Sequence, residues 1–151
     1  MIKLFLLISF LFLVIQNETF TAKVIGVTDG DTIVVLTNDN KQIKIRLEGI
    51  DCPETKQDFG TKAKQLTVDL CFQKTVRIEQ SGTDRYGRML AFVFLDDVCI
   101  NKELIKQGMA WHYKQYNKDQ ELASLEEKAR NRKIGIWSQN NPVAPWDFRK
   151  K

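Results

Sequence analysis

One histidine, three cysteines and three prolines among 151 residues leave little material for several common kinds of chemistry. His112 is the single imidazole, so a zinc site built from several histidines is excluded. A hydrolase that depends on a histidine base would have to rest on that one residue. Cys52, Cys71 and Cys99 are far apart and form no C-x-x-C pair, which argues against structural zinc. Their odd number leaves at least one thiol outside any intramolecular disulfide. A Cys71–Cys99 bridge after export and three small buried apolar side chains both remain open. Internal repeats and low-complexity linkers are absent, and the length suits one domain. The one long apolar run, Leu4 to Ile15, is broken only by Ser9 and is too short to span a bilayer as a helix. Lys3 precedes it and Gln16-Asn17-Glu18-Thr19 follows, the pattern of a secretory signal. With no A-x-A site and no lipobox cysteine, cleavage and retention as an anchor both stay open. Residues 1–20 therefore read as a signal peptide or N-terminal anchor, and residues 21–151 as the domain. A secreted or periplasmic location is expected, membrane-anchored if the segment is uncleaved.

What is present is a 43% apolar chain, sufficient for a core without disulfides, with a net charge of +4 and a pI near 9.0. A basic surface suits a polyanion such as nucleic acid, or an anionic membrane. With imidazole scarce, hydrolysis would draw on carboxylates and arginines around a hard cation. From Phe20 the chain breaks into short β-branched segments. Phe20 to Val27 and Thr32 to Thr37 flank the turn-forming Thr28-Asp29-Gly30-Asp31 and read as a hairpin. Lys41 to Leu47 alternates Ile43, Ile45 and Leu47 on one face, a third strand. Apolar residues at helical spacing predict a helix over Asp58 to Cys71, followed by a strand over Thr75 to Glu79. Ser81 to Gly87 reads as a turn-rich bend before a fifth strand, Met89 to Leu95. Asn101 is placed to cap a short helix ending at Gly108, and Asp119 to Arg132 reads as a charged amphipathic helix. Asn141 to Phe148 reads as an extended tail whose aromatics pack back on the domain. Mainly β with α, an α+β class, is the result: a five-stranded OB-fold barrel with about three helices.

Charged residues cluster where strands end. Asp31 follows a glycine turn, Arg46 lies near the end of the third strand, Asp51 and Glu54 sit in the loop leaving it, and Arg88 opens the fifth strand. Each alone is most often a solvated turn charge or a surface ion pair. Together, Val27-Thr28-Asp29-Gly30-Asp31-Thr32, Ile45-Arg46-Leu47 with Gly49-Ile50-Asp51-Cys52-Pro53-Glu54-Thr55, and Thr83-Asp84-Arg85-Tyr86-Gly87-Arg88 resemble the three signature blocks of the staphylococcal nuclease family, in order and with matching spacing. The resemblance runs from about Lys23 to about Trp137.

The resemblance implies a calcium-dependent phosphodiesterase acting on DNA and RNA. Asp31 and Asp51 are then the carboxylate ligands of Ca2+, with the main-chain carbonyl of Cys52 as a further oxygen. Glu54 orients or deprotonates the attacking water, and Arg46 and Arg88 grip the phosphate. Arg85 and Tyr86 are implied nucleotide contacts, and Tyr113 and Tyr116 lie near the family's base-stacking positions. His112 reads as packing or a minor substrate contact. Phosphodiester hydrolysis needs such a set, because charge building on equatorial oxygens is neutralised by a divalent ion and guanidiniums. Cys52 departs from the family's usual threonine, which raises the prospect of oxidation sensitivity. The loop from Glu54 to Phe59 is also shorter than in the best-known relative, which bears on substrate preference. The expected substrate is single-stranded or frayed DNA, or RNA, with a monomer and no stable protein partner. Competing readings are a non-catalytic nucleic-acid-binding OB module and an OB-fold that binds oligosaccharide or protein.

Overall fold

The computed structural model describes residues 18–151, so the apolar run of the expected signal or anchor lies outside the described residues. Strand β1 (Thr19–Asp29) buries Ala22 and Val24 while Thr21 and Lys23 stay outside, the period of two that commits one face to a core. Two register shifts, at Val24/Gly26 and Val27/Asp29, interrupt its antiparallel pairing with β2 (Thr32–Leu36). Irregularities of this kind bend a strand sharply enough to serve two neighbours. The early half of β1 pairs with β5 (Thr75–Thr83), while β2 pairs onward with β3 (Gln42–Leu47). Strand β6 (Met89–Leu95) runs antiparallel to β5 and parallel to β3. The β3–β6 pairing closes a five-stranded mixed barrel, so the fold is the OB-type α+β architecture. Val24, Ile33, Val35, Ile45, Leu47, Ile78 and Val93 fill it.

Two short pairings serve the site. Strand β4 (Ile50–Asp51) pairs with β8 (Trp111–His112), which brings the chain after residue 112 alongside the loop at Asp51. Strand β7 (Val98–Cys99) turns back on β6 and leads into helix α2 (Ile100–Lys106). Helix α1 (Gly60–Cys71) covers β1, and Thr67 Oγ1 in it donates to the Gly30 carbonyl at 2.6 Å. Helix α3 (Gln120–Arg132) is capped by Asp119, whose carboxylate accepts from the amides of Glu121 and Leu122. A 3-10 turn (Gly135–Ser138) and a short helix α4 (Pro145–Phe148) end the domain.

Three expectations need correction. Part of the expected extended tail is helical, because Pro145 at the first helical position starts α4. Residues 81–83 of the expected bend are strand: β5 continues to Thr83, and the register shift between Gln80 and Gly82 leaves Ser81 as the extra residue. Asn101 does not cap α2. Its buried side chain accepts from the Val93 amide and donates to the carbonyls of Glu48 and Ala91, stitching the helix to the barrel. Of the two readings left open for the cysteines, the structure has the second: Cys52, Cys71 and Cys99 are buried free thiols. Among the described residues no helix is long and apolar enough to cross a membrane.

Candidate active site

The turn between β1 and β2 is wedged so tightly that its glycine is obligatory. A Cβ on Gly30 would lie 2.8 Å from the Cβ of Cys52 and 2.9 Å from that of Ala63. That close approach lets Asp31 reach the next loop, where its Oδ2 accepts the Cys52 amide at 2.6 Å. In β3, Ile45 and Leu47 point inward, so Arg46 points out, opposite Thr32 in the ladder. Its Nη2 lies 3.3 Å from Asp31 Oδ2 and 3.1 Å from Asp51 Oδ1. Its Nη1 donates to the carbonyls of Leu47 and Ile50 at 2.9 and 2.8 Å. One guanidinium thus ties together two carboxylates and the loop that joins them.

The charges do not cancel. Asp51 is only 1% exposed, and burial, reinforced by the neighbouring Asp31 charge, raises its proton affinity, although hydrogen bonding from Arg149 and the charges of Arg46 and Arg149 oppose this. Burial and the same Asp31 charge push Asp29 up to about 6. Burial works against the charge of Arg46, but Asp31 and Asp51 outweigh it and hold the guanidinium more firmly cationic. Three acids in a desolvated corner leave a surplus of negative charge that a cation relieves. The donors suit a hard ion: carboxylate oxygens, with no imidazole in the cleft. The Cys52 thiol is buried and pushed far up by burial first, so it stays a neutral thiol, which works against the oxidation sensitivity considered above. Among the described residues no three acid, histidine or cysteine side chains surround one point. Two carboxylates completed by main-chain oxygen and water fit calcium's flexible oxygen shell and do not fit a closed zinc site.

Arg88 is fixed just before the start of β6, the strand that pairs beside β3. Asp84 accepts the amides of Tyr86 and Arg88, each at 2.9 Å, and the Arg88 Nε at 2.7 Å. These bonds outweigh the burial that would raise the Asp84 carboxyl and hold it below its ordinary value. Gly87, at φ 79°, provides the left-handed step this tight turn needs. Glu54 lies in the loop after β4, its side chain 39% exposed, and its carboxylate takes the Arg149 Nη1 at 2.7 Å. Arg85, Tyr86, Tyr113 and Tyr116 also line the cleft, and the rings of Tyr113 and Tyr116 meet edge to face with centres 4.8 Å apart. His112 is buried, bonded through its amide to Glu126 and through Nε2 to Asn117, away from the cleft.

All ten singled-out residues, Asp31, Arg46, Asp51, Cys52, Glu54, Arg85, Tyr86, Arg88, Tyr113 and Tyr116, line one cleft of about 620 Å³. Sequence reasoning does not single out Arg149, which lines the same cleft, or Trp146, which packs on Tyr113. Arg149 reaches Asp51 Oδ2 at 2.8 Å as well as Glu54, and Trp146 stacks parallel on Tyr113 with ring centres 5.1 Å apart. Both come from a segment with no motif, and a basic residue near the end of a chain gives no local signal.

A closed OB barrel whose mouth gathers desolvated acids, arginines and an accessible glutamate has the make-up of a phosphodiester hydrolase. Residues 44–139 match the family described as staphylococcal nuclease homologue. The chain is 46% identical over 136 residues to a protein of Haemophilus influenzae named uncharacterized endonuclease, covering 90% of this chain and 76% of that one. It is 37% identical over 142 residues to a protein of Shigella flexneri named micrococcal nuclease, covering 87% and 81%. With the Arabidopsis thaliana protein named staphylococcal-like nuclease CAN1 it shares 36% over 110 residues, 73% of this chain and 34% of that longer one. The chain belongs to the staphylococcal nuclease family. It is a nuclease, an enzyme that hydrolyses phosphodiester bonds.

Proposed function

We propose that the protein is a calcium-dependent nuclease that cuts DNA and RNA with little sequence preference. The observation that carries this reading is the clamp of Arg46 between two buried carboxylates, in the same cleft as Glu54 and Arg88. Asp31, Asp51 and the Cys52 carbonyl would hold Ca2+, which when bound supplies Lewis-acid neutralisation of phosphate charge. Glu54, accessible at the cleft edge, orients a water on the face of the phosphorus away from the leaving oxygen and takes its proton. Arg88, steered by Asp84, donates to the equatorial oxygens as their charge grows, and Arg46 adds positive charge to the same cleft. Tyr86 and Tyr116 offer exposed ring faces, and stacking on a ring accepts every base, which suits low specificity.

Single-stranded DNA and RNA incubated with the protein in calcium, then in a chelator, beside Glu54→Gln, test this. Cutting in calcium alone, reduced about 10²- to 10⁴-fold in the variant, is the expected result. Cutting that ignores the chelator or the substitution defeats the mechanism, and tight binding with no cutting marks a binding module. We also assign the Lys3–Ile15 segment to export, on its charge and apolar pattern. The mass of the mature N-terminus from a native producer checks that assignment.

A further inference from the structure

The segment from Val143 to Arg149 is held to the cleft at three places. Ala144 and Pro145 are buried, and Trp146 stacks parallel on Tyr113 while presenting an edge to Trp111 at 5.5 Å. Gln57 joins this segment to the loop that bears Glu54: its Oε1 accepts the Glu54 amide at 3.1 Å and its Nε2 donates to the Val143 carbonyl at 2.5 Å. Arg149 then closes the circuit. Its Nη1 lies 2.7 Å from Glu54 Oε1 and 3.3 Å from Asp51 Oδ1, and its Nη2 lies 2.8 Å from Asp51 Oδ2.

We infer that Arg149 is a positioning residue of the active site, carried on an anchored C-terminal segment and fixing the Glu54 carboxylate beside Asp51. The inference rests on the reading of Glu54 as the group that orients or deprotonates water. Glu54 belongs to neither helix nor strand, and a glutamate so exposed would otherwise sample several rotamers. A rigid planar guanidinium can bond two carboxylates at once and so sets the distance between them. An ammonium is a point charge without that fork, so lysine at this position restores only part of the effect.

The test compares wild type with Glu54→Gln, Arg149→Ala, Arg149→Lys and the Glu54→Gln/Arg149→Ala double variant, on single-stranded DNA in saturating calcium. Arg149→Ala is expected to lower kcat about 10- to 100-fold with KM changed by less than about 3-fold. Lysine should recover part of the loss. Millimolar guanidinium ion should restore Arg149→Ala where equal sodium chloride does not. On the Glu54→Gln background the second substitution should have no further effect, because a residue acting through Glu54 has nothing left to position. Terbium luminescence titration should show cation affinity no weaker than wild type, a readout independent of turnover that separates the loss of kcat from loss of the cation. An unchanged kcat, full additivity on the Glu54→Gln background, or a cation affinity raised about 10-fold together with faster turnover would each overturn the inference, the last making Arg149 a competitor for the cation seat. A wild type as slow as Glu54→Gln would instead remove the reading of Glu54, and the inference with it.

Discussion

Two carboxylates in this molecule are equally buried, Asp51 and Glu126, each 1% exposed and each held by two basic side chains. Glu126 sits in α3, with Lys114 Nζ at 2.9 Å, Arg130 Nη2 at 3.5 Å and the His112 amide at 3.1 Å. Its partners reach in from the surface, and Arg130 also lies over the ring of Trp137 at 3.8 Å. The result is one acid held between two cations, which fastens α3 to β8. Asp51 has a second acid beside it, because Arg46 is shared with Asp31, and Asp29 adds a third. Burial of an acid therefore says little about chemistry. A surplus of acids over the guanidiniums that serve them says much more, because stability alone gives no reason to crowd like charges out of water.

Exchanging the two regions' losses would break this contrast. Arg88→Gln should lower kcat about 10²- to 10³-fold, since it removes a donor from charge that develops only in the transition state. Its melting temperature should stay within about 2 °C of wild type, because Asp84 keeps both backbone amides that shape the turn. Glu126→Gln should do the reverse. Loss of the charge leaves Lys114 and Arg130 unpaired and should reduce stability by about 1–3 kcal/mol in urea unfolding, with kcat within about 2-fold of wild type. Comparable kcat losses in the two variants would show that the α3 flank is coupled to the cleft.

Most of the barrel is legible in the chain because its strands alternate: Ala22 and Val24, and Ile45 with Leu47, fall on the core side as period two requires. The site is legible for a related reason. Arg46 is the charged residue between two core positions, and Gly30-Asp31 stands where only a glycine passes between Cys52 and Ala63. What is illegible depends on long-range contact. Asn101 looks like a cap by its place before a helix, and only the barrel above it, through Val93, Ala91 and Glu48, makes it a buried cross-link. Arg149 lies 98 residues from Asp51. No local pattern connects them, and the four residues of Pro145–Phe148 are too short for a periodic signal.

A pH series sharpens the comparison between the two acidic regions. Burial, then the Asp31 charge, raises Asp29 from an ordinary 3.8 to about 6. The folded state therefore keeps its proton where the unfolded chain has lost it. The penalty is absent below about pH 4, grows as pH rises to about 6, and is constant above. Asp29→Asn removes the penalty and still accepts the Asp31 amide. In chelator it should match wild type near pH 4 and exceed it by about 1–2 kcal/mol at pH 7, a range that allows for partial exposure of the group. The sign is opposite to that of Glu126→Gln at the same pH. Thermal melts at four pH values check it, and a difference independent of pH would mean that Asp29 carries no such strain.

The smallest effect divides the aromatics of the cleft between packing and substrate. Tyr113 has one face covered by Trp146, in a parallel stack inclined by 2°, so part of its value is structural. Tyr86 is 71% exposed and has the guanidiniums of Arg85 and Arg88 near its ring, at 5.0 and 5.6 Å. An exposed ring held against cations is a ready platform for a base next to a bound phosphate. Tyr86→Ala should raise KM about 3- to 10-fold for DNA and RNA alike, with kcat within about 2-fold and no loss of melting temperature. Tyr86→Phe should behave as wild type, because the stacking face survives without the hydroxyl. A Phe variant as impaired as the Ala variant would move the contact from the ring to the hydroxyl, and with it the basis for tolerance of any base.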